Sequence, residues 1–271
     1  MKYKILALDM DGTLLNSRKQ LTQPTVDAIN RLLERGVHVV FGSGRNLPEM
    51  SDIHRALNKI RYGILISGGL VYDFVADKPI AVHPVAVDDI MTIIDIGIDE
   101  RAMIHLHTIR DSIARQADID HMSDFHMGIY QTMFDRICVK VDDPKKYALE
   151  HEGEIIKVNL YHRSTESRQR SVELLKDRAL EMVFAEGSSL EASPRGVSKA
   201  SGLIELCKAL NIPIEETVAI GDAPNDREIL QTAGLGIAMG NAEDEIKKIA
   251  GFITLDNDHD GVVHAIEKIF D

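Results

Sequence analysis

The sequence has little of three things: cysteine, net positive charge and long uninterrupted apolar stretches. Its two cysteines, Cys138 and Cys207, lie far apart without a CxxC spacing, which argues against a disulfide framework or a thiolate metal site. A formal net charge of -12 argues against a nucleic-acid-binding surface, because binding a polyanion depends on clustered Lys and Arg. Asp9 and Asp11 interrupt the early apolar segment, so we expect no signal peptide and no membrane span. The expected compartment is a reducing cytoplasm.

Two common nucleotide-binding motifs are missing as well. The segment Gly42-Ser43-Gly44 begins like a dinucleotide-binding turn, but position 47 is leucine, so the GxGxxG pattern fails. No Walker A sequence occurs either. The sequence therefore gives no support to a dinucleotide enzyme or a P-loop NTPase.

What the sequence does contain is a short apolar run, Ile5 to Leu8, that ends abruptly in Asp9, Asp11 and Gly12. Such a run is typical of a strand that is buried on both faces of a parallel sheet. Ligands of open α/β sheets bind at the carboxyl ends of the strands, so these acids are placed for chemistry. The length of 271 residues predicts two domains rather than one.

The same pattern, an apolar strand that opens into a small polar loop, returns later in the chain. Runs at 37–41, 63–67 and 218–220 lead into Gly42-Ser43-Gly44-Arg45, Gly68-Gly69 and Gly221-Asp222. Helical patterns separate these strands, and the first helix begins at Thr22 and Pro24, which favour a helix start. Because crossover connections are right-handed, we expect a parallel sheet with these loops at one edge.

From about His83 the pattern of apolar strands followed by small polar loops stops. The segment from there to about Ser188 is predicted to be a second domain inserted into the first. Strands at 103–107, 137–141 and 157–161 indicate an α+β sheet with one solvent-exposed face, followed by a helix over 165–180. We therefore predict a core from residues 1–82 and 189–271 and an insertion from 83–188.

His105 and His107 point to one face of a strand, but no third metal ligand is evident nearby. We interpret these two histidines as packing or surface residues.

Four loop clusters carry reactive residue types: Asp9 with Asp11, Ser43, Lys199, and Asp222 with Asn225 and Asp226. A carboxylate can attack phosphorus, but a dianionic phosphate repels it unless a divalent cation neutralises the pair. Acids from different strands could hold that cation, and Mg²⁺ prefers such oxygen ligands. A lysine and a hydroxyl could bind the phosphoryl oxygens. The residue types thus match the demands of a phosphoryl-transfer site.

Each cluster also has a simpler explanation. Asp9 and Asp11 could be turn formers, and Ser43 could be an ordinary loop residue. Lys199 could be a solvated charge at a helix start, and the acids from Asp222 to Asp226 could cap the following helix. The order in which all four clusters occur along one chain favours the functional interpretation.

This order resembles the motifs of the haloacid dehalogenase superfamily, and in particular of its Cof-type phosphatases. The first motif, Asp-x-Asp-Gly-Thr, matches Asp9 to Thr13, and the fourth, Gly-Asp-x-x-Asn-Asp, matches Gly221 to Asp226. The third-motif lysine matches Lys199. The second motif, commonly Thr-Gly-Arg, is Ser43-Gly44-Arg45 here and keeps the hydroxyl. A later loop that commonly reads Asn-Gly-Ala is Ser67-Gly68-Gly69.

The resemblance implies an α/β fold, in which a modified Rossmann core of parallel sheet flanked by helices carries an inserted α+β cap of the C2 type, similar to C2B caps. It also implies a Mg²⁺-dependent phosphatase, in which Asp9 attacks phosphorus and Asp11 acts as acid and then as base. The implied roles are catalysis for Asp9, Asp11, Ser43 and Lys199; substrate binding for Gly12, Gly44, Arg45 and Asn225; and metal binding for Asp9, Asp11 through its main-chain carbonyl, Asp222 and Asp226.

The implied substrate is a small phosphorylated metabolite, with sugar phosphates ahead of nucleotides and phosphorylated cofactors. Two alternatives stay open: a phosphotransferase or phosphomutase that uses the same aspartyl-phosphate, and a non-catalytic sensor of phosphate ligands. Intact acids at Asp9 and Asp11 argue against the sensor, since a pure binder needs no acid/base partner. No nucleic-acid or membrane partner is expected, and the sequence does not indicate an oligomeric state.

Overall fold

The computed structural model describes residues 2–184 and 188–270. Residues 185–187 of the predicted insertion, and residues 1 and 271 of the predicted core, lie outside the described residues. The chain divides into two compact units. The first unit comprises Met1–Gly44, Ser51–Ala81 and Ser198–Asp271, and the second comprises Arg45–Met50 and Val82–Val197.

Short strands alternate with helices along both units. In chain order the strands are β1 (Ile5–Leu8), β2 (His38–Gly42), β3 (Tyr62–Leu65), β4 (Leu70–Asp73), β5 (Lys78–Val82), β6 (Met103–His107), β7 (Ser112–Arg115), β8 (Cys138–Val141), β9 (Lys157–Tyr161), β10 (Leu180–Val183), β11 (Ser189–Pro194), β12 (Thr217–Gly221), β13 (Leu235–Ala238) and β14 (Phe252–Ile253).

The helices are of ordinary length, and within residues 2–184 and 188–270 none is long and apolar enough to cross a membrane. The α-helices are α1 (Gln23–Glu34), α2 (Leu47–Ala56), α3 (Val87–Asp99), α4 (Gln116–Ile119), α5 (Gln131–Ile137), α6 (Pro144–Glu150), α7 (Thr165–Leu175), α8 (Lys199–Leu210), α9 (Arg227–Thr232), α10 (Asp244–Ile249) and α11 (Gly261–Phe270). Short 3₁₀ helices occupy Ile66–Gly68, Met122–Phe125, Gly128–Tyr130, Ile214–Glu216 and Pro224–Asp226.

The first unit is built on an eight-stranded sheet with the order β14-β13-β12-β1-β2-β3-β4-β5. β1 pairs in parallel with β12 and with β2, and Leu8 lies opposite both Ile220 and Phe41. The loops that follow these three strands therefore leave the sheet at the same edge. This confirms the predicted α/β fold with a parallel sheet flanked by helices.

The edge of this sheet beyond β3 departs from the parallel pattern. β4 pairs antiparallel with β3, with Leu65 opposite Leu70. The connection between them is the short 3₁₀ helix Ile66–Gly68. A parallel return needs a crossover of a dozen or more residues, so a connection this short forces an antiparallel neighbour.

The first crossover helix shows how local sequence directs this unit. The Thr22 hydroxyl accepts the backbone N–H of Thr25, and proline occupies the first turn of α1, as the sequence predicts. The buried face of α1 carries Ala28, Ile29 and Leu32, each at most 1% exposed. This apolar stripe packs the helix into the core of the unit.

The second unit is built on a six-stranded sheet with the order β10-β11-β9-β6-β7-β8. Ile104, Leu106 and Leu160 belong to an apolar cluster with residues of α3, α6 and α7. The opposite face carries Met103 and Tyr161, which belong to a second apolar cluster that includes residues of α4 and α5. The expectation of a solvent-exposed face is therefore wrong at β6 and β9, where every residue is buried.

The boundaries of the second unit also differ from the predicted 83–188. This unit continues to Val197, because β11 pairs with β9 and β10 and so belongs to the six-stranded sheet. The helix predicted over 165–180 ends at Leu175, and the chain enters β10 at Leu180. The second unit also includes Arg45–Met50 from the loop after β2 and the start of α2.

Candidate active site

Asp9 lies in a tight loop directly after β1, at the edge of the parallel sheet. Its backbone N–H donates to the carbonyl oxygen of Ile220 at 3.0 Å, and its carbonyl oxygen accepts the N–H of Leu14 at 3.2 Å. The loop turns at Gly12, whose φ is +91°. A Cβ atom at Gly12 would lie 2.3 Å from Oδ2 of Asp222, so this position needs glycine for both backbone conformation and space.

Lys199 is the first residue of α8 and its ammonium is buried beside Asp9. The distance from Lys199 Nζ to Asp9 Oδ1 is 2.5 Å, and the distance to Asp226 Oδ1 is 2.7 Å. Ser198 caps the helix through a reciprocal pair of hydrogen bonds with Ser201. Gly68 lies close by, because a Cβ atom there would be 1.9 Å from the carbonyl oxygen of Ser198. The loop after β3 thus packs against the helix start that carries the lysine.

The two acids of the loop after β12 have different surroundings. Asp226 is fully buried, and its Oδ2 accepts the backbone N–H groups of Asp222 and Ala223 at 3.0 and 3.1 Å. Asp222 is partly buried, and its Oδ1 accepts the hydroxyl of Thr13 at 2.8 Å. Its Oδ2 lies 3.4 Å from the Asn241 amide nitrogen. Asp226 therefore fixes both the loop and the lysine, while Asp222 is held by Thr13 and lies closer to solvent.

The cluster carries more negative than positive charge, and this shows in its pKa values. Burial raises the pKa of Asp9 well above its ordinary value, and Asp226 and Asp222 raise it further, against the opposing effect of Lys199. Burial also raises the pKa of Asp222, to about 6. Burial acts to lower the pKa of Lys199, but Asp226 and Asp9 reverse this effect and keep the side chain cationic.

The three carboxylates meet the requirements of a divalent cation. Asp9, Asp222 and Asp226 each offer an oxygen atom within 4.8 Å of the others. Three carboxylates face one ammonium here, so a dication would balance the charge that burial makes costly. An all-oxygen set of ligands suits Mg²⁺ better than a transition metal. These residues thus fit the magnesium site that the family resemblance implies.

Asp11, the predicted acid and base, points to a more exposed part of the same loop. Its side chain is 33% exposed, and Oδ1 accepts from Lys19 Nζ at 2.8 Å. Sequence reasoning did not identify Lys19, because only the fold of the loop brings it back to Asp11. Thr13 and Asn241 were likewise not predicted as site residues, although Thr13 belongs to the first motif.

The remaining predicted residues fall into both units. Ser43 and Gly44 follow β2 in the first unit, where Ser43 is buried and its N–H donates to the carbonyl oxygen of Ile64. Asn225 is half-buried, and its Oδ1 has no hydrogen-bond partner among the described residues. Arg45 belongs to the second unit. The structure therefore brings Asp9, Lys199, Asp222 and Asp226 together in the first unit. Arg45 is assigned to the other unit.

Comparison with known proteins gives full-length matches. The family model of haloacid dehalogenase-like hydrolases matches residues 6–266. Phosphatase YwpJ of Bacillus subtilis is 27% identical, over 98% of this chain and 99% of that protein. The 5-amino-6-(5-phospho-D-ribitylamino)uracil phosphatase YcsE of the same organism is 27% identical, over 97% and 94% of the two chains.

A solved structure extends this similarity to the fold. The subclass IIB sugar phosphatase BT4131 superposes with a TM-score of 0.83, over 98% of both chains, at 19% sequence identity. At that identity the match speaks for the fold alone. The family model and the curated relatives confirm the family and the class of enzyme that the motifs predict: the chain belongs to the haloacid dehalogenase superfamily of hydrolases, as a Cof-type phosphatase.

Proposed function

We propose that this chain is a Mg²⁺-dependent phosphatase of small phosphorylated metabolites, with sugar phosphates as the substrate class, and that it acts through an aspartyl-phosphate. The observation that carries the proposal is the 2.5 Å contact of Asp9 Oδ1 with Lys199 Nζ, next to Asp222 and Asp226. A carboxylate held at a strand end beside a fixed cation is placed to attack a phosphoryl group whose charge the cation offsets.

The first step transfers the phosphoryl group to the protein. An Asp9 carboxylate oxygen attacks phosphorus, the bond from phosphorus to the leaving oxygen breaks, and Asp11 donates a proton to that oxygen. A bound Mg²⁺, held by Asp9, the Asp11 main-chain carbonyl and Asp222, with Asp226 in support, would reduce the repulsion between the carboxylate and the phosphate. Lys199 offsets the charge of the transferring group.

The second step returns the protein to its starting state. A water molecule attacks the phosphorus of the aspartyl-phosphate, Asp11 takes a proton from that water, and the bond between phosphorus and Asp9 breaks. Inorganic phosphate leaves, and Asp11 again carries the proton that the next cycle requires. Lys19 donates to Oδ1 of Asp11, which favours the ionised carboxylate that accepts the proton of the water in this step.

Further residues are proposed to position the substrate. The hydroxyl of Ser43 and the side chain of Asn225 would bind phosphoryl oxygens, with backbone contributions from Gly12 and Gly44. Asn225 directly precedes Asp226 and is half-buried, and its side-chain amide N–H groups are donors that phosphoryl oxygens could accept. We assign Arg45 and the predicted insertion, residues 83–188, to substrate preference.

The choice of sugar phosphates rests on relatives. YcsE is by its name a phosphatase of a phosphoribityl compound, in which the phosphate ends a polyhydroxyl chain. BT4131 is described as a sugar phosphatase. Both substrates are small phosphate monoesters that carry hydroxyl groups, and this shared chemistry supports the proposed class.

The test measures phosphate release from a panel of phosphorylated sugars, nucleotides and cofactors, with Mg²⁺ and after treatment with EDTA. Asp9→Asn is expected to lower kcat by about 10⁴-fold or more while leaving the thermal unfolding curve intact, since it removes the nucleophile. The exposed Asp27→Asn in the same unit is the matched control and should keep full activity. Substantial hydrolysis by Asp9→Asn would overturn the assignment of the nucleophile. Appearance of a phosphorylated acceptor in place of free phosphate would identify a phosphotransferase.

A further inference from the structure

The second unit contains another group of three potential metal ligands, separate from the acids of the first unit. Glu49, His105 and His107 each offer a ligand atom within 4.8 Å of the others. Glu49 Oε1 lies 3.6 Å from His105 Nε2 and 3.9 Å from His107 Nδ1. The centroids of the two imidazole rings are 3.9 Å apart. Both histidine side chains are 1% exposed and that of Glu49 is 5% exposed, so the group is enclosed by protein.

Within this group, His107 stands out because its ring nitrogens are not satisfied by hydrogen bonds. Both of its ring nitrogens are buried, and neither has a hydrogen-bond partner among the described residues. Buried polar groups in proteins are nearly always satisfied, and a group that is not requires an explanation such as a bound ion. The Nδ1 atom faces the Glu49 carboxylate at a distance too long for a hydrogen bond.

Glu49 is held in place so that one of its oxygens faces the histidines. Its Oε2 accepts the backbone N–H of Asn46 at 3.0 Å, while the Glu49 N–H donates to Asn46 Oδ1 at 3.3 Å. This reciprocal pair caps the start of α2. The other oxygen, Oε1, accepts the hydroxyl of Ser112 at 2.9 Å and lies nearest to both imidazole rings.

The second histidine, His105, is oriented by groups behind it. Its Nδ1 lies 3.4 Å from the Tyr161 hydroxyl, which also receives a hydrogen bond from the Asn159 amide at 3.0 Å. Its Nε2 lies 2.5 Å from the Ser112 hydroxyl. Histidines that bind metals commonly have their second nitrogen fixed by such a contact. The Nε2 atom thus points toward the ligand group, where a metal ion would take the place of the serine contact.

The charges around the group permit a cation. Lys157 and Arg45 act on Glu49 as positive neighbours, but Lys157 Nζ is paired with Glu191 at 2.9 Å. Burial keeps both imidazole rings neutral, because it lowers the pKa of His105 to about 3 and that of His107 well below its ordinary value. Neutral imidazole is the form that binds metals.

We propose that Glu49, His105 and His107 form a binding site for a transition-metal ion of the Zn²⁺ class in the second unit. Two imidazole nitrogens and one carboxylate oxygen are a ligand set that suits Zn²⁺ and Co²⁺ rather than Mg²⁺. Bonds of about 2.0–2.1 Å at tetrahedral angles place neighbouring ligand atoms about 3.3 Å apart. The observed 3.6 and 3.9 Å approach that separation, so small side-chain shifts would complete the site.

The test uses the full chain and Co²⁺ as a spectroscopic probe. Metal is removed by dialysis against a chelator, and Co²⁺ is then added in a large excess of Mg²⁺, which occupies the carboxylate site of the first unit. We expect about one equivalent of Co²⁺ per chain, seen as visible absorption bands of a nitrogen-bound, four-coordinate ion and displaced by Zn²⁺. An absence of bands in the natural chain would overturn the proposal.

Matched variants locate the ion. Glu49→Gln keeps an acceptor for the Asn46 cap, and His107→Gln removes a side chain with no hydrogen-bond partner among the described residues, so both are expected to fold. Each should weaken Co²⁺ binding by about 100-fold or more and abolish the rise in Tm that we expect Zn²⁺ to give the natural chain. The exposed His121→Gln should bind like the natural chain. Unchanged Co²⁺ binding in both Glu49→Gln and His107→Gln would overturn the proposal.

Discussion

Both units bury a cluster of ionisable side chains, but the two clusters differ in charge and in their position on the sheet. In the first unit, Asp9, Asp222 and Asp226 lie around the Lys199 ammonium, at loops that follow the strands of a parallel sheet. In the second unit, the histidines near Glu49 lie within a strand on a buried sheet face, where burial holds them neutral. Burial raises the pKa of Asp9 and Asp222 and lowers that of the histidines, because it disfavours the charged form in both cases. The difference teaches that one physical effect, desolvation, opposes charge in both units: a buried ammonium counteracts it at the acids of the first unit, whereas the histidines of the second unit are held neutral.

The largest effect is expected from breaking the charge balance of the first unit with Lys199→Met. This change leaves Asp9 and Asp226 buried without their cation, so we expect a loss of about 3–5 kcal/mol in the free energy of unfolding. With the cation that offsets phosphoryl charge gone, kcat should fall by about 10²–10³-fold. Urea unfolding and phosphate release measure the two effects.

A control and a rescue sharpen this result. Lys208→Met, at an exposed position of the same helix, should change neither quantity appreciably. Adding Asp226→Asn to Lys199→Met should recover part of the stability, because it removes one of the two unpaired carboxylates, but it should not recover activity. Equal stability of Lys199→Met and Lys208→Met would contradict the charge balance described for this site.

The next prediction concerns how the free energy of unfolding of the metal-free protein depends on pH, with one titrating group in each unit. The pKa of His105 is about 3 in the folded chain, below the ordinary 6.5, so the unfolded chain binds more protons between these values. The free energy of unfolding therefore falls as the pH falls, by about 2 kcal/mol between pH 7 and pH 5 from His105 alone. His105→Gln should remove this loss, as measured by urea unfolding at several pH values, and the exposed His121→Gln should retain it.

Asp222 provides the opposite slope. Its folded-state pKa of about 6 lies above the ordinary 3.8, so the folded chain binds more protons between these values and gains stability as the pH falls. This gain, about 1 kcal/mol between pH 7 and pH 5, offsets part of the histidine effect. Asp222→Asn should therefore make the loss of stability toward pH 5 steeper. If His105→Gln and Asp222→Asn both reduced the dependence of the free energy of unfolding on pH, the opposite effects assigned to the two units would be wrong.

The smallest effect separates backbone strain from crowding at the acidic site. Gly12 and Gly36 both have a left-handed φ, +91° and +82°, but a Cβ atom at Gly36 would meet nothing within 4 Å. Gly36→Ala should therefore cost about 1 kcal/mol of stability from strain alone. Gly12→Ala should cost about 1 kcal/mol more, because its methyl group displaces Asp222, and should lower kcat/KM by about 10-fold, whereas Gly36→Ala keeps full activity. Equal kcat/KM for the two variants would show that the Asp222 carboxylate tolerates displacement.

The comparison also explains what sequence could and could not predict. Asp9, Lys199, Asp222 and Asp226 lie in loops or at a helix start next to buried strands, and the alternation of apolar runs with polar loops makes such positions visible in sequence. Parallel pairing of β1 and β12 then brings the three acids to one edge, and Lys199 meets them from the start of α8. The contact of Asp11 with Lys19 was not predictable in this way, since it depends on the path of one loop.

The proposed ligand group of the second unit was not predictable from the sequence for a different reason. His105 and His107 show the period of a strand, but their third partner, Glu49, comes from a distant segment and a different element. One signal was present: Asn46 and Glu49 have the spacing of a capping box, which marks a helix start with a fixed carboxylate. The predicted boundary at 188 leaves β11 with the core, and only the pairing of β11 with β9 and β10 assigns it to the second unit.

Asp226 links the path of one loop to the position of a buried cation. One oxygen of its carboxylate accepts the backbone N–H groups of Asp222 and Ala223, and the other accepts the Lys199 ammonium. The path of this loop and the charge balance around Lys199 therefore depend on the same side chain. A substitution that displaces Asp226 would disturb both at once, so the sequence cannot vary one of them independently of the other.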